Sequence, residues 1–195
     1  MWNDTIDIKG FTLIELLITV TLAGLLLTLA LPNITDLIAK YRLITATNEF
    51  ITSLNFARSE AIKRGQPVVV KKTNTQWEEG WQVFVDIDRS TEAAQNSIDP
   101  TDVLLRVYAA LPLGYTLRGN YFFTSFIGFQ PDGGASALGS FALCDNRDGN
   151  NTLIGAKLIT VNAAGRLHLG LDSNKNGIPE KDDGTAMTSC TVSPF

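Results

Sequence analysis

One histidine, two cysteines and a charged fraction of 18% are what 195 residues offer to polar chemistry. An average soluble domain carries about 25% charged residues. No glycine-rich phosphate loop, metal-spaced His/Cys set or activated nucleophile accompanies His168, so the sequence argues against an enzyme. His168 sits on an alternating run with Leu167, Leu169 and Leu171 on the other face, which reads as a surface position. Bases are also in deficit, 16 Lys and Arg against 20 Asp and Glu, and a net acidic chain is a poor generic nucleic-acid binder. A basic leader is missing too, since Met1 to Gly10 holds Asp4, Asp7 and only Lys9, unlike a Sec-type signal. At 45% hydrophobic the chain is too apolar for disorder and long enough for about one domain.

The apolar excess is concentrated. Phe11 to Leu31 form a run whose only charge is Glu15, and as a helix it would span about 31 Å, one bilayer core. It is too long for the apolar core of a cleaved signal, although Thr28 and Ala30 mimic a small-x-small cut. An acid inside a spanning helix costs about 2.5–3.5 kcal/mol at its centre and less near an end. Glu15 therefore suggests a partner. Charge balances of −3 over 1–39, +5 over 40–72 and −6 over 73–195 divide the remainder. Cys144 and Cys190, both far past the apolar run, fit one disulfide in an oxidising compartment; two free buried thiols are the alternative.

Lys9-Gly10-Phe11-Thr12-Leu13-Ile14-Glu15-Leu16-Leu17 resembles the class III leader junction of type IV pilins and pseudopilins. The resemblance implies that a prepilin peptidase cuts between Gly10 and Phe11 and methylates the new amine, leaving Glu15 fifth in the mature chain. Glu15 of one subunit would then neutralise the Phe11 amine of a neighbour, which makes an uncompensated charge in lipid a driving force for assembly.

Helical periodicity continues past Pro32 through Ile34, Leu37, Tyr41 and Ile44, then Phe50, Leu54, Ala57 and Ala61. A kink is expected near Pro32, a Glu60–Arg64 pair near the end and a stop at Gly65 and Pro67. Strand-like runs follow at 68–70, 81–85, 103–108, 121–123, 126–129, 141–143, 157–161 and 167–169, separated by breakers such as Pro112-Leu113-Gly114 and Pro131-Asp132-Gly133-Gly134. The expected class is α+β, an antiparallel sheet domain on a long helix. The chain divides into a leader at 1–10, a transmembrane or filament-core helix at 11–32, an amphipathic spine at 33–65 and a periplasmic β-rich domain at 66–195. The blocks Ala57-Arg58-Ser59-Glu60-Ala61-Ile62-Lys63-Arg64, Gly80-Trp81-Gln82-Val83-Phe84-Val85-Asp86, Leu104-Leu105-Arg106, Phe129-Gln130-Pro131-Asp132-Gly133 and Leu143-Cys144-Asp145 resemble the GspH/FimT group of minor pseudopilins and minor pilins.

Two loops invite ligands. Asp172-Ser173-Asn174-Lys175-Asn176-Gly177 matches the opening of a calcium loop, but Asp183 replaces the twelfth-position glutamate and Pro179 intrudes. Asp86, Asp88 and Ser90 form a shorter version of that start, and a polar turn explains both as well. FimT-like minor pilins bind DNA through Gly-Arg-x-Arg; here Gly165 and Arg166 match and His168 stands where the second arginine would be. Basic residues between Lys63 and Lys72 could contribute, and a solvated strand edge accounts for them equally. Trp77 and Trp81 read as core, and Glu78-Glu79 as a solvated turn. The expectation is a minor pseudopilin of the type II secretion class, held in the bacterial inner membrane by one span with its carboxy-terminal domain in the periplasm. Its partners would be other pseudopilins or pilins, the prepilin peptidase, the inner-membrane assembly platform and membrane lipid. It needs no cofactor unless the acidic loop takes calcium, and its cysteines are bridged. The alternative is a FimT-like minor type IV pilin binding DNA during natural transformation.

Overall fold

The computed structural model describes residues 10–91, 95–192 and 195, with the side chains of 29–33 outside the described set. The expected leader lies outside it except for Gly10. A single helix, α1 (Leu13–Arg64), runs unbroken through Pro32. It ends where the sequence signals a stop: Gly65 has φ 64, and its N–H donates to the Ala61 carbonyl at 3.0 Å, an αL cap. The expected Glu60–Arg64 ion pair forms at 2.6 Å, and the Arg64 hydrogen bond holds the Glu60 carboxyl below its usual range.

The chain divides into two compact units, 1–40 and 41–195. In the first, Leu13, Ile14, Leu16, Leu17, Val20, Leu25 and Leu26 are all exposed, Leu13 by 82%. They occupy every side of the helix, so no single face is buried. Among the described residues no helix is long and apolar enough to cross a membrane. The span expected over 11–32 includes the side chains of 29–32, which lie outside that set.

In the second unit α1 supplies Leu43, Ala46, Phe50, Leu54, Ala57 and Ala61 to the core. Spacings of three and four place them on one face. Ile34, Leu37 and Tyr41, expected on the buried stripe, are exposed; the first α1 residue in the core cluster is Leu43.

Among the described residues, eight strands form two antiparallel sheets. One is ordered β3-β2-β1-β5, from β1 (Val68–Lys72), β2 (Trp81–Val85), β3 (Val103–Tyr108) and β5 (Phe126–Phe129). The other is ordered β4-β6-β7-β8, from β4 (Tyr115–Gly119), β6 (Gly139–Asp145), β7 (Thr152–Val161) and β8 (Leu167–Leu169). Phe50 of α1 joins them to the helix, meeting Trp77, Trp81 and Phe141 edge-on at 5.7, 5.1 and 4.8 Å. Each such ring pair contributes about 0.5–1.5 kcal/mol beyond its buried area. The indole N–H groups are satisfied: Trp77 donates to the Phe123 carbonyl at 2.8 Å and Trp81 to the Ser53 hydroxyl at 2.9 Å.

In this second sheet, sheet two, strand β6 is buried on both faces from Phe141 to Cys144. Phe141 and Leu143 of β6 enter the main core, while Ala142 and Cys144 enter a second cluster with Ala156, Leu158, Met187, Cys190 and Phe195. Alternation along β6 thus feeds two cores, and the carboxy-terminal tail covers the outer one. Cys144 and Cys190 form a disulfide.

Two expectations are corrected. Tyr121 to Phe123, read as a strand, form a 3-10 turn at Tyr121–Thr124. Tyr121 has φ 45, incompatible with extended pairing, and the turn lets the Phe123 ring stack on Phe141 at 5.1 Å. Glu78, read as solvated, is half-buried and pairs with Arg118; its neighbour Glu79 accepts the Gln76 N–H at 3.1 Å.

Candidate functional site

Three regions carry the expected chemistry. At the amino-terminal end Gly10 is open, with nothing within 4 Å of a side chain built on it, and Phe11 is exposed. Thr12 precedes the first helical residue. Its N–H and hydroxyl donate to Glu15 Oε2 at 3.3 and 3.2 Å, and the Glu15 N–H donates to the Thr12 hydroxyl at 3.2 Å. This is a reciprocal capping box, Thr12-x-x-Glu15. Thr12 was missed as a functional position although its spacing from Glu15 signals the motif. Within one chain, Glu15 thus has a local partner: its carboxylate accepts the Thr12 N–H, an amide with no partner inside the helix.

At the β7–β8 turn, Asn162 accepts the Gly165 N–H on its carbonyl at 2.9 Å and the Arg166 N–H on its side-chain oxygen at 3.0 Å. Gly165 has φ 68. A Cβ there would lie 2.1 Å from the Gly133 carbonyl and 2.9 Å from Arg58 Nε. Arg58 is committed to backbone, donating to the carbonyls of Gly133 at 2.8 Å and Ala164 at 3.1 Å. It therefore brackets the β5–β6 and β7–β8 loops onto α1. Arg166 and His168 are exposed, Arg166 just before β8 and His168 within it. They line an open groove of about 400 Å3 with Ile51, Asn55 and Arg58. His168 pairs across the sheet with Thr160, whose hydroxyl donates to Asp182 at 3.4 Å, so a carboxylate stands beside the motif. Leu169 and Leu171, expected on a buried face opposite His168, are exposed as well, because β8 is a three-residue edge strand.

The acidic loop turns on itself. Asp172 accepts the N–H groups of Asn176 and Gly177 at 3.0 and 2.8 Å. Asn174 accepts Asn176 N–H at 3.0 Å, and Asn176 accepts Ile178 N–H at 2.8 Å. Lys175 and Gly177 have φ 60 and 86. Asp183 is engaged by the Thr185 N–H and hydroxyl, whose bonds lower its carboxyl pKa. Among the described residues no group of three His, Cys, Asp or Glu side chains is placed to hold a metal. The turn and the sharp glycine of the calcium pattern are present, without a converging third carboxylate.

Asp86 behaves differently from a loop ligand. It is buried, ion-paired to Arg89 at 2.6 Å and bonded by the Asn96 N–H at 3.1 Å. Burial pushes its carboxyl above the usual range. Asp102 continues the fastening, accepting the N–H groups of Ile87 and Asp99 at 2.8 and 3.0 Å. The basic residues between Lys63 and Lys72 are dispersed: Lys63 and Arg64 pair with Glu60, Lys71 donates to Ser97 and Lys72 to the Thr75 carbonyl.

A long amino-terminal helix that docks its second half against antiparallel sheets, with an exposed apolar first half, defines the pilin fold. Residues 46–165 match the family model described as type II transport protein GspH, and residues 7–31 match the prokaryotic N-terminal methylation motif. The chain belongs to the GspH family of type IV pilin-like proteins. A fimbrial protein of Pseudomonas aeruginosa is 32% identical over 105 residues, 53% of this chain and 68% of its own. The crystal structure of the type IV minor pilin FimU of Pseudomonas aeruginosa shares the fold, with a TM-score of 0.54 at 20% identity over 76% of this chain and 94% of that one. The minor pseudopilin EpsH from the type 2 secretion system of Vibrio cholerae is more distant, with a TM-score of 0.45 at 13% identity over 66% of this chain and 95% of its own.

Proposed function

We propose that this chain is a minor subunit of a type IV pilus-like filament, inserted in the bacterial inner membrane as a prepilin with its carboxy-terminal domain in the periplasm. The observation that carries this is the first half of α1, where large apolar side chains are exposed on all sides. Such a surface is stable only in lipid or against neighbouring helices. Prepilin peptidase would cut after Gly10, the assembly platform would extract the helix from lipid, and other pilins would cover it in the filament. The chemistry is assembly, with no catalysis.

The fimbrial relative and the minor pilin FimU support the pilus over the secretion machine, reversing the order expected from the sequence blocks. The description of the family model, type II transport, supports the second reading, a secretion pseudopilin. Deleting the gene separates them. Loss of pili with intact secretion supports the first, and loss of secretion with intact pili the second.

Processing gives a direct test. Intact-mass analysis of the protein from its own host should find a chain beginning at an N-methylated Phe11. A start near Leu31 would mean that the helix is a cleaved signal. Glu15→Val should insert normally, since it removes a charge from lipid, yet enter filaments poorly. Unimpaired incorporation would show that Glu15 serves only as the Thr12 cap partner.

DNA is the less favoured partner. Of the Gly165, Arg166 and His168 set only Arg166 carries a permanent cation, and Asp182 bonds the cross-strand neighbour of His168. In a gel shift at moderate salt the detergent-solubilised chain should bind duplex DNA weakly, with Arg166→Ala changing little. Tight binding that Arg166→Ala abolishes, with a salt slope falling by about one phosphate contact, would promote DNA uptake instead.

A further inference from the structure

Strand β3 is the outer strand of its sheet, and of its six residues only Tyr108 is buried. Val103, Leu104 and Val107 are 43, 49 and 58% exposed. Because successive residues point to opposite faces, apolar surface is open on both sides of the strand. Native edges are usually blunted by several charges, proline or extreme shortness. This one has six residues, no proline and a single charge, Arg106. Beyond its ladder to β2, no backbone group of Val103–Tyr108 bonds to another described residue. A bulge where the β2 register shifts between Val83 and Phe84 sets Leu105 apart, leaving 106–108 as a short regular edge.

Beside that edge runs a groove of about 550 Å3, walled by Thr45, Asn48, Glu49 and Thr52 of α1 and by Arg106 to Ala109. The Arg106 guanidinium lies over the rings of Phe56 and Tyr108, at 5.3 and 5.6 Å from their centroids, and donates to the Tyr108 hydroxyl at 3.4 Å. It is held in place by two rings and has no carboxylate partner among the described residues. Glu49 lines the same groove without pairing to it.

We propose that β3 is a docking edge to which an extended segment of a different filament subunit adds as a strand, placing a carboxylate against Arg106. Main-chain hydrogen bonds would supply attachment and the apolar residues on both faces would supply contact area. Charge decides against a second copy of this chain. Antiparallel self-pairing of Val103–Tyr108 offers Arg106 no acid in any register, and in the register that sets the two arginines opposite one another like charges across the pair are destabilising. The source of the partner rests on the filament-subunit reading; the edge itself does not.

The test uses the full-length protein in its host, with the photo-reactive residue benzoylphenylalanine placed at Val107, at Leu104, and as a control at the exposed Ile154 of β7. The expected result is a Val107 crosslink to one other filament subunit. Its bridged peptide should lie in an extended segment bearing Asp or Glu. Arg106→Glu should lower that crosslink about fivefold, and replacing the partner's carboxylate by lysine should restore it. A crosslink at twice the chain's own mass would overturn the proposal in favour of self-pairing. Processed protein that enters filaments without any crosslink from positions 104 and 107 would overturn the edge. Protein absent from filaments would instead sink the filament reading and the partner's identity with it.

Discussion

Replacing Cys144 and Cys190 by alanine is expected to lower the unfolding free energy by about 4 kcal/mol. The bridge closes a sequence separation of 46, for which loss of denatured-state entropy gives about that value. In a chain of this size each kcal/mol moves the melting temperature by about 2–4 °C, so the double variant should melt about 8–16 °C lower. The bridge acts locally as well. Met187 and Phe195 are buried against the outer face of sheet two only while the tail stays there, so the variant should also show early proteolysis after Gly170. A shift under about 3 °C would mean that packing alone secures the tail and that the bridge adds little.

Gly165→Ala should be almost as damaging, and it separates two meanings of the same residue. If Gly165 serves to let a phosphate approach, alanine should leave stability untouched and weaken only DNA binding. The geometry gives it a structural role. Its φ of 68 costs a non-glycine residue about 1–3 kcal/mol. The new Cβ would also meet the Gly133 carbonyl at 2.1 Å, and relieving that overlap requires moving the loop that Arg58 holds, at a further cost of about 1–3 kcal/mol. The expected loss is about 2–6 kcal/mol by thermal unfolding, against less than about 0.5 for Arg166→Ala at the exposed neighbour. Equal and small losses at both positions would refute the bracket formed by Arg58, Gly133 and Ala164.

The features legible in the sequence are those that repeat or that break repetition. Helix α1 was readable from the spacing of Phe50, Leu54, Ala57 and Ala61 and from the Gly65 stop, and the observed bounds, Leu13–Arg64, differ little from the expected segments 11–32 and 33–65 taken together. Strands with uniform apolar runs, β1 and β2, were found because central strands must be apolar on both faces. β4 was missed because Tyr115, Thr116 and Leu117 are all buried with no alternation to announce them, and because Thr116 looks polar until its hydroxyl finds Asn151 at 3.0 Å. Tyr121 to Phe123 misled for the opposite reason: the composition is that of a strand, and only tertiary packing against Phe141 and Trp77 makes a turn of it. At the candidate site, the junction around Gly10, Phe11 and Glu15 was legible as local spacing. The Arg58 bracket was not, since it joins residues 75 and 106 positions apart. No local pattern encodes such a contact.

The aromatic cluster around Phe50 has a spectroscopic consequence. The chain has three tryptophans, and Trp2 precedes Gly10, so cleavage after Gly10 would remove it. The two that remain, Trp77 and Trp81, both touch the same helical side chain and both have their indole N–H groups hydrogen-bonded inside the domain. The intrinsic emission of a processed subunit therefore comes wholly from the seam between α1 and the sheets. Its colour reads out whether helix and sheets are seated on one another, with no label attached and no background from the exposed apolar half.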